Sequence, residues 1–215
     1  MPRPRFDNLP DEVRERLLDV AREKFAAHGF AGTSLNSILS AAGISKGACY
    51  YYFDDKEDLF ATVVERKLAD VLASLPPPSA DALTARTFWP ALAETIRHWL
   101  ALFDSSDGLM RAMLQLGETE RAHPRFQQLT SRGLALWENL IRTGQRLRCV
   151  RTDLPLALLV ALVAANDRAL DLAFAAEHPR PSAKDYDAYV ARVLDTLRRL
   201  LAPSPLKSAA KRSKR

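Results

Sequence analysis

Residues 25–60 read FAAHGFAGTSLNSILSAAGISKGACYYYFDDKEDLF, which is the end of one helix, two short helices and the start of a fourth. Upstream, Val13, Leu17, Val20, Ala21 and Phe25 recur at helical spacing, with Asp11 and Glu12 in the first turn, predicting a helix over about residues 10–28. Gly29 stands where a left-handed C-terminal cap belongs. Thr33 and Ser34 offer caps for a short helix whose apolar face is Leu35, Ile38, Leu39 and Ala42, closed by Gly43. Ser45 then caps the next helix, and Ile44 with Cys49 has the spacing of a hydrophobic staple. Two short helices joined by a tight glycine-containing turn make a helix-turn-helix, whose second helix projects its N-terminal residues towards base edges in a major groove.

That second helix is composed for a surface. Ser45, Lys46, Gly47, Ala48, Tyr50, Tyr51 and Tyr52 are small, hydroxylated or positive, and Cys49 and Phe53 read as its anchors. Gly47 costs roughly 1 kcal/mol against Ala inside a helix, an expense that close approach of backbone to phosphate would offset. The tyrosines bring hydroxyls for phosphate oxygens and rings for thymine methyls. Asp54-Asp55-Lys56-Glu57-Asp58 opens the following helix. Lys56 puts a cation where the helix dipole opposes it. A docked phosphate would resolve that conflict; a solvated Lys balanced by its acidic neighbours is the alternative.

The run Phe25–Phe60 strongly resembles the DNA-binding head of TetR-type (tetracycline-repressor-like, TetR/AcrR) transcriptional regulators. Phe25, Gly29, Phe30, Thr33, Ser34, Leu35, Ile38, Ala42, Gly43, Ile44, Ser45, Gly47, Tyr50, Tyr52, Phe53, Lys56 and Leu59 stand where that family's pattern has them. Cys49 replaces a larger apolar residue and Tyr52 a common His, so no operator sequence carries over. The resemblance implies a DNA-binding set of Thr33, Ser34, Ser45, Lys46, Gly47, Ala48, Tyr50, Tyr51, Tyr52 and Lys56. Within it Thr33, Tyr50 and Lys56 would touch phosphates, and Lys46, Gly47, Ala48, Tyr51 and Tyr52 would lie over base edges. It further implies a cytoplasmic, ligand-responsive repressor that binds a palindromic operator in double-stranded DNA as a homodimer and is released by a small hydrophobic or aromatic effector. A DNA-binding regulator or structural protein without a small ligand is the alternative.

Composition agrees with an all-α fold: 47% of the 215 residues are hydrophobic and only 8 are Gly, with Ala, Leu, Arg and Glu prominent. The net charge of +5 comes from the end of the chain, where Lys207, Lys211, Arg212, Lys214 and Arg215 meet no acid, so the charge alone is no sign of specific DNA binding. Cys49 and Cys149 lie far apart and form no metal-type or redox pair. His28, His98, His123 and His178 lack metal-ligand spacing, and neither a Gly-x-Ser-x-Gly elbow nor a Gly-rich phosphate loop occurs. No enzyme, metal or cofactor is expected. The longest apolar run, Leu154–Ala165, is too short to span a bilayer.

The chain divides into an N-terminal arm and helix-turn-helix domain at 1–54, a connecting helix at 55–75, a ligand-binding and dimerisation domain at 76–202 and a basic disordered tail at 203–215. Pro76-Pro77-Pro78 reads as a linker, and further helices are expected over 82–104, 107–118, 122–147, 154–177 and 183–202, about nine in all. The first is expected to be irregular around Pro90. Val160, Val163, Leu170 and Phe174 line one late helix, and Val190, Val193 and Leu197 the other. These stripes suit either internal core or the dimer interface that the resemblance implies, a four-helix bundle shared by two chains. Trp89, Trp99, Phe103, Met110, Met113 and Trp137, with Asn166 as a polar contact, are candidate walls of a ligand pocket, though residues so spaced also make ordinary core.

Overall fold

The computed structural model describes residues 4–45, 49–74, 82–102, 108–179 and 181–203. Among the described residues every regular element is helical. The order is α1 (Pro4–Asp7), α2 (Asp11–His28), α3 (Leu35–Ala41), α4 (Cys49–Tyr52), α5 (Lys56–Ser74), α6 (Phe88–Leu102), α7 (Leu109–Leu114), α8 (Glu118–Arg121), α9 (Pro124–Arg146), α10 (Leu156–Glu177) and α11 (Ala183–Leu201). A helix-turn-helix head thus joins a larger helical unit, as expected. Two more segments occur than the nine anticipated, because α1 was unforeseen and the expected helix over 107–118 ends early, leaving α8 apart.

Local chemistry accounts for most boundaries. Gly29 ends α2 at φ 70° with its N–H on the Phe25 carbonyl. Gly43, at φ 71°, closes α3 by the double bond of a Schellman motif: its own N–H meets the Ser40 carbonyl, and the Ile44 N–H meets that of Leu39. Ser182 and Asp185 form a reciprocal capping box at the start of α11. The helix expected from residue 82 starts only at Phe88, because Thr84 and Thr87 bond each other's backbone and side chains in a turn before it. Pro90 therefore falls in the first turn, where its missing N–H has no partner to lose, and the expected irregularity is corrected.

Two hydrophobic clusters organise the chain. The first holds Leu17, Ala21, Phe25, Ile38, Leu39, Phe53, Leu59, Phe60 and Val63, all within 2% of full burial. It also takes in Leu109, Ala112 and Leu116 from around α7, and Phe126 from α9. The second unites α6, α9, α10 and α11 through Phe88, Leu92, Ile141, Leu159, Val163, Val193, Leu197 and Leu201. Among the described residues no helix is long and apolar enough to cross a membrane.

The paired stripes expected to meet a second chain lie inside this second region. Val163, Val190, Val193 and Leu197 are at most 2% exposed within one protomer, while Val160, Leu170 and Phe174 pack against the second cluster. Within one protomer α10 packs against α9 and α11, and α11 against α6, so these side chains contribute to the chain's own core. The large apolar side chains left exposed on α10 are Leu158, Leu162 and Leu172, at 44%, 38% and 41%.

Candidate nucleic-acid interface

The reading end of the head is built from the turn between α2 and α3. Ser34 caps α3, its side chain accepting the Ser37 N–H at 3.1 Å. Arg16 reaches from α2 to the Ala42 carbonyl at 3.1 Å and holds the far end of α3. Phe53 is fully buried with its ring 4.9 Å from that of Phe6, which α1 delivers into the core. The sequence pattern predicts no helix in the N-terminal arm and does not reveal this anchor. Phe6 alone among polar and proline neighbours was its only signal.

Tyr51 is half exposed, and the Tyr52 ring meets it edge-on at 6.2 Å while leaning on the first cluster. Of these two expected base-edge residues Tyr51 is thus the more accessible. Ser34 and Ser45 are exposed. Lys46, Gly47 and Ala48, and the side chain of Tyr50, lie outside the described residues.

Two expected phosphate contacts have their donors turned inward. Thr33 is 4% exposed, and its hydroxyl lies 2.7 Å from the Gly29 carbonyl and 3.1 Å from that of Lys24. The Lys56 ammonium donates to the carbonyls of Phe30 at 2.9 Å and Thr33 at 3.1 Å, and sits 4.1 Å from the Phe30 ring centroid. These two carbonyls and the Phe30 ring give the Lys56 cation partners within the protein that offset its unfavourable place at a helix N-terminus.

Behind the head, α5 and α9 meet at their N-termini. Asp55 accepts the Asp58 N–H at 2.7 Å through one oxygen and faces His123 Nε2 at 3.2 Å through the other. His123 caps α9, its Nδ1 accepting the Arg125 N–H at 3.3 Å, so hydrogen-bond logic puts the proton on Nε2. The Arg125 guanidinium, 5% exposed, lies 2.8 Å from Asp58 and 2.7 Å from Glu65. None of this junction was foreseen. The His123-Pro124 pair is a cap followed by a first-turn proline, but nothing in the sequence marks Arg125.

The described pocket candidates divide between the two clusters. Met113 packs on the first cluster, while Trp89 and Trp137 pack on the second. Trp89 meets Phe88 edge-on at 5.2 Å and lies 5.5 Å from the Arg198 guanidinium. Phe103 and the side chains of Trp99 and Met110 lie outside the described residues. The Asn166 amide nitrogen is buried without a hydrogen-bond partner. Beside it, burial and the neighbouring Asp171 push the Asp167 carboxyl up to about 7. Burial also raises Asp171, against the opposing bond from the Tyr189 hydroxyl and the charge of Arg168. Clefts occur elsewhere, one between α2 and α5 beside Asp19, Arg22 and Arg66, another where His28 and Phe30 face Gln115 and Glu120.

Residues 17–63 match the family model described as bacterial regulatory proteins, tetR family. That match lies within the head, running from α2 into α5. Over 54 residues the chain is 46% identical to the HTH-type transcriptional regulator AcrR of Shigella flexneri, covering 25% of each protein. It is 25% identical over 145 residues to the HTH-type transcriptional repressor KstR2 of Rhodococcus jostii, covering 67% of this chain and 71% of that one. The chain thus spans only a quarter of AcrR. Solved structures show a likeness of fold. The transcriptional regulator FadR from Bacillus subtilis, crystallised with stearoyl-CoA, superposes with a TM-score of 0.67 at 18% identity, covering 85% of this chain and 96% of FadR. These relatives are named regulators and repressors, not enzymes.

Proposed function

We propose that the chain is a ligand-responsive transcriptional repressor that binds a palindromic operator as a homodimer, placing it at the nucleoid in the cytoplasm. The observation that carries this reading is the tetR-family match over residues 17–63, on a head whose α3 cap, closing turn and anchored α4 leave Tyr51 outward. Thr33 and Lys56 then act by shaping the turn that presents backbone N–H groups to phosphate. Ser34, Ser45, Lys46, Gly47, Ala48, Tyr50, Tyr51 and Tyr52 remain the proposed contact set.

One short helix reads too few base pairs for specificity, and two heads about one DNA turn apart read a palindrome. The exposed face of α10 supplies the means of pairing: Leu158, Leu162 and Leu172 lie on one side of a helix that is apolar nearly all round, a pattern suited to burial on both faces. A small hydrophobic or aromatic effector fits the helical unit behind the head, and FadR with its acyl-CoA offers a parallel. The proposed boundaries are a head at 1–54, a connector at 55–75, an effector and dimer unit at 76–202 and a tail from 203. Selection of bound DNA from a random library by the purified chain tests this reading; recovery of a palindrome is expected.

A further inference from the structure

Two helix N-termini meet behind the head, and their caps are bonded to each other. Asp55 caps α5 and His123 caps α9, with His123 Nε2 3.2 Å from Asp55. One turn further along, the buried Arg125 guanidinium spans Asp58 at 2.8 Å and Glu65 at 2.7 Å, and the Phe60 and Phe126 rings lie 5.8 Å apart. On its other side the same first turn of α5 is tied to the α2–α3 turn by Lys56. The first turns of α5 are therefore fastened to the DNA-reading turn on one flank and to α9 on the other.

These contacts differ in what they permit. Apolar rings can slide past one another at small cost. A guanidinium held between two carboxylates, with Asp58 2% and Arg125 5% exposed, cannot be displaced without stranding a buried charge. A shift of α9 must carry the start of α5 with it, and through Lys56 the turn before α3.

We propose that Arg125 is the positioning residue through which α9 sets the orientation of the head. This rests on the regulator reading above, because it assigns the route by which that regulator's two ends communicate. Energetic coupling between sites is reciprocal, so DNA bound at the head must be felt in α9 even when no effector is known.

The test is amide hydrogen exchange on the full chain, with and without a duplex recovered by random-library selection, for wild type, R125K, R125M and D58N/R125M. In the wild type the duplex slows exchange in the first turns of α9 about fivefold or more. R125M abolishes that protection while its duplex binding and helical circular dichroism persist, and R125K recovers part of it. D58N/R125M removes Arg125 together with the more buried of its two carboxylates, guarding against a misfolded single variant, and also lacks the protection. Protection of α9 that survives in D58N/R125M, or its absence in the wild type, overturns the proposal. Without DNA, R125M must speed exchange in the first turns of α5 and α9 together; acceleration in α9 alone overturns it. If no duplex is selected, the regulator reading fails, and the free-protein comparison still decides whether Arg125 joins the two helices.

Discussion

The Lys56 ammonium donates to the Phe30 carbonyl at 2.9 Å and lies 4.1 Å from the centroid of the same residue's ring. One residue thus supplies two kinds of partner to one cation, and α5 is strapped to the end of α2. Replacing Lys56 by Met removes both contacts and the bond to Thr33, which should cost about 1–3 kcal/mol of stability. DNA affinity should fall for every sequence alike, with the slope of affinity against salt nearly unchanged. A slope lower by about one phosphate contact, with stability intact, would show that Lys56 acts directly on the backbone of DNA.

The dimer prediction uses the contrast between the two faces of α10. Leu162→Arg, on the exposed face, should yield a monomer by light scattering with helicity and monomer fold retained. Leu197→Ala, at a fully buried position, should instead destabilise by about 2–5 kcal/mol. A Leu162→Arg protein that stays dimeric would place the interface elsewhere.

The end of α9 offers a pair of opposite changes. A Cβ on Gly144 would stand 2.4 Å from Val150 Cγ2 and 2.8 Å from Phe88 Cζ, the latter a ring 1% exposed. Gly144→Ala should therefore cost about 1–3 kcal/mol by overpacking. Four residues later Arg148 holds φ 60°, with its N–H on the Gln145 carbonyl, while the Cys149 N–H meets that of Gly144. That Schellman position favours glycine, so Arg148→Gly should stabilise by about 0.5–1 kcal/mol. Urea titrations of both variants read the two signs.

Asp167 makes stability depend on pH. Its folded-state value of about 7 exceeds the ordinary 3.8, so the folded chain binds the proton more tightly than the unfolded one. The sign follows: stability is fullest below about pH 4 as far as this group is concerned, and declines as pH rises towards 7. Asp167→Asn should raise the melting temperature near neutral pH and leave it unchanged near pH 4. Equal melting profiles for the two proteins between pH 5 and 8 would contradict the assignment.

The head was legible because its signals are local. Ser34 as a cap, Gly29 and Gly43 as left-handed stops and the apolar spacing of Leu35, Ile38 and Leu39 each act within one turn of chain. Residues that act at a distance were not legible. Thr33 and Lys56 turn inward because carbonyls after α2 lie close in space, which no short spacing discloses. Val163, Val193 and Leu197 have the periodicity of an interface and of a core alike, and only the packing of α10 on α9 and α11, and of α11 on α6, shows them within the protomer's core. Arg125 meets Asp58 and Glu65 across sixty or more residues of chain, and Phe6 is buried by a single turn of helix that composition could not announce.

The central claim, that this chain is a dimeric operator-specific regulator, is tested most directly by selecting DNA from a random library with the purified full chain at a stated physiological salt concentration. The account predicts recovery of one palindromic motif with half-sites about one helical turn apart. Recovery of unselected DNA, held by an affinity that collapses as salt rises, would contradict it.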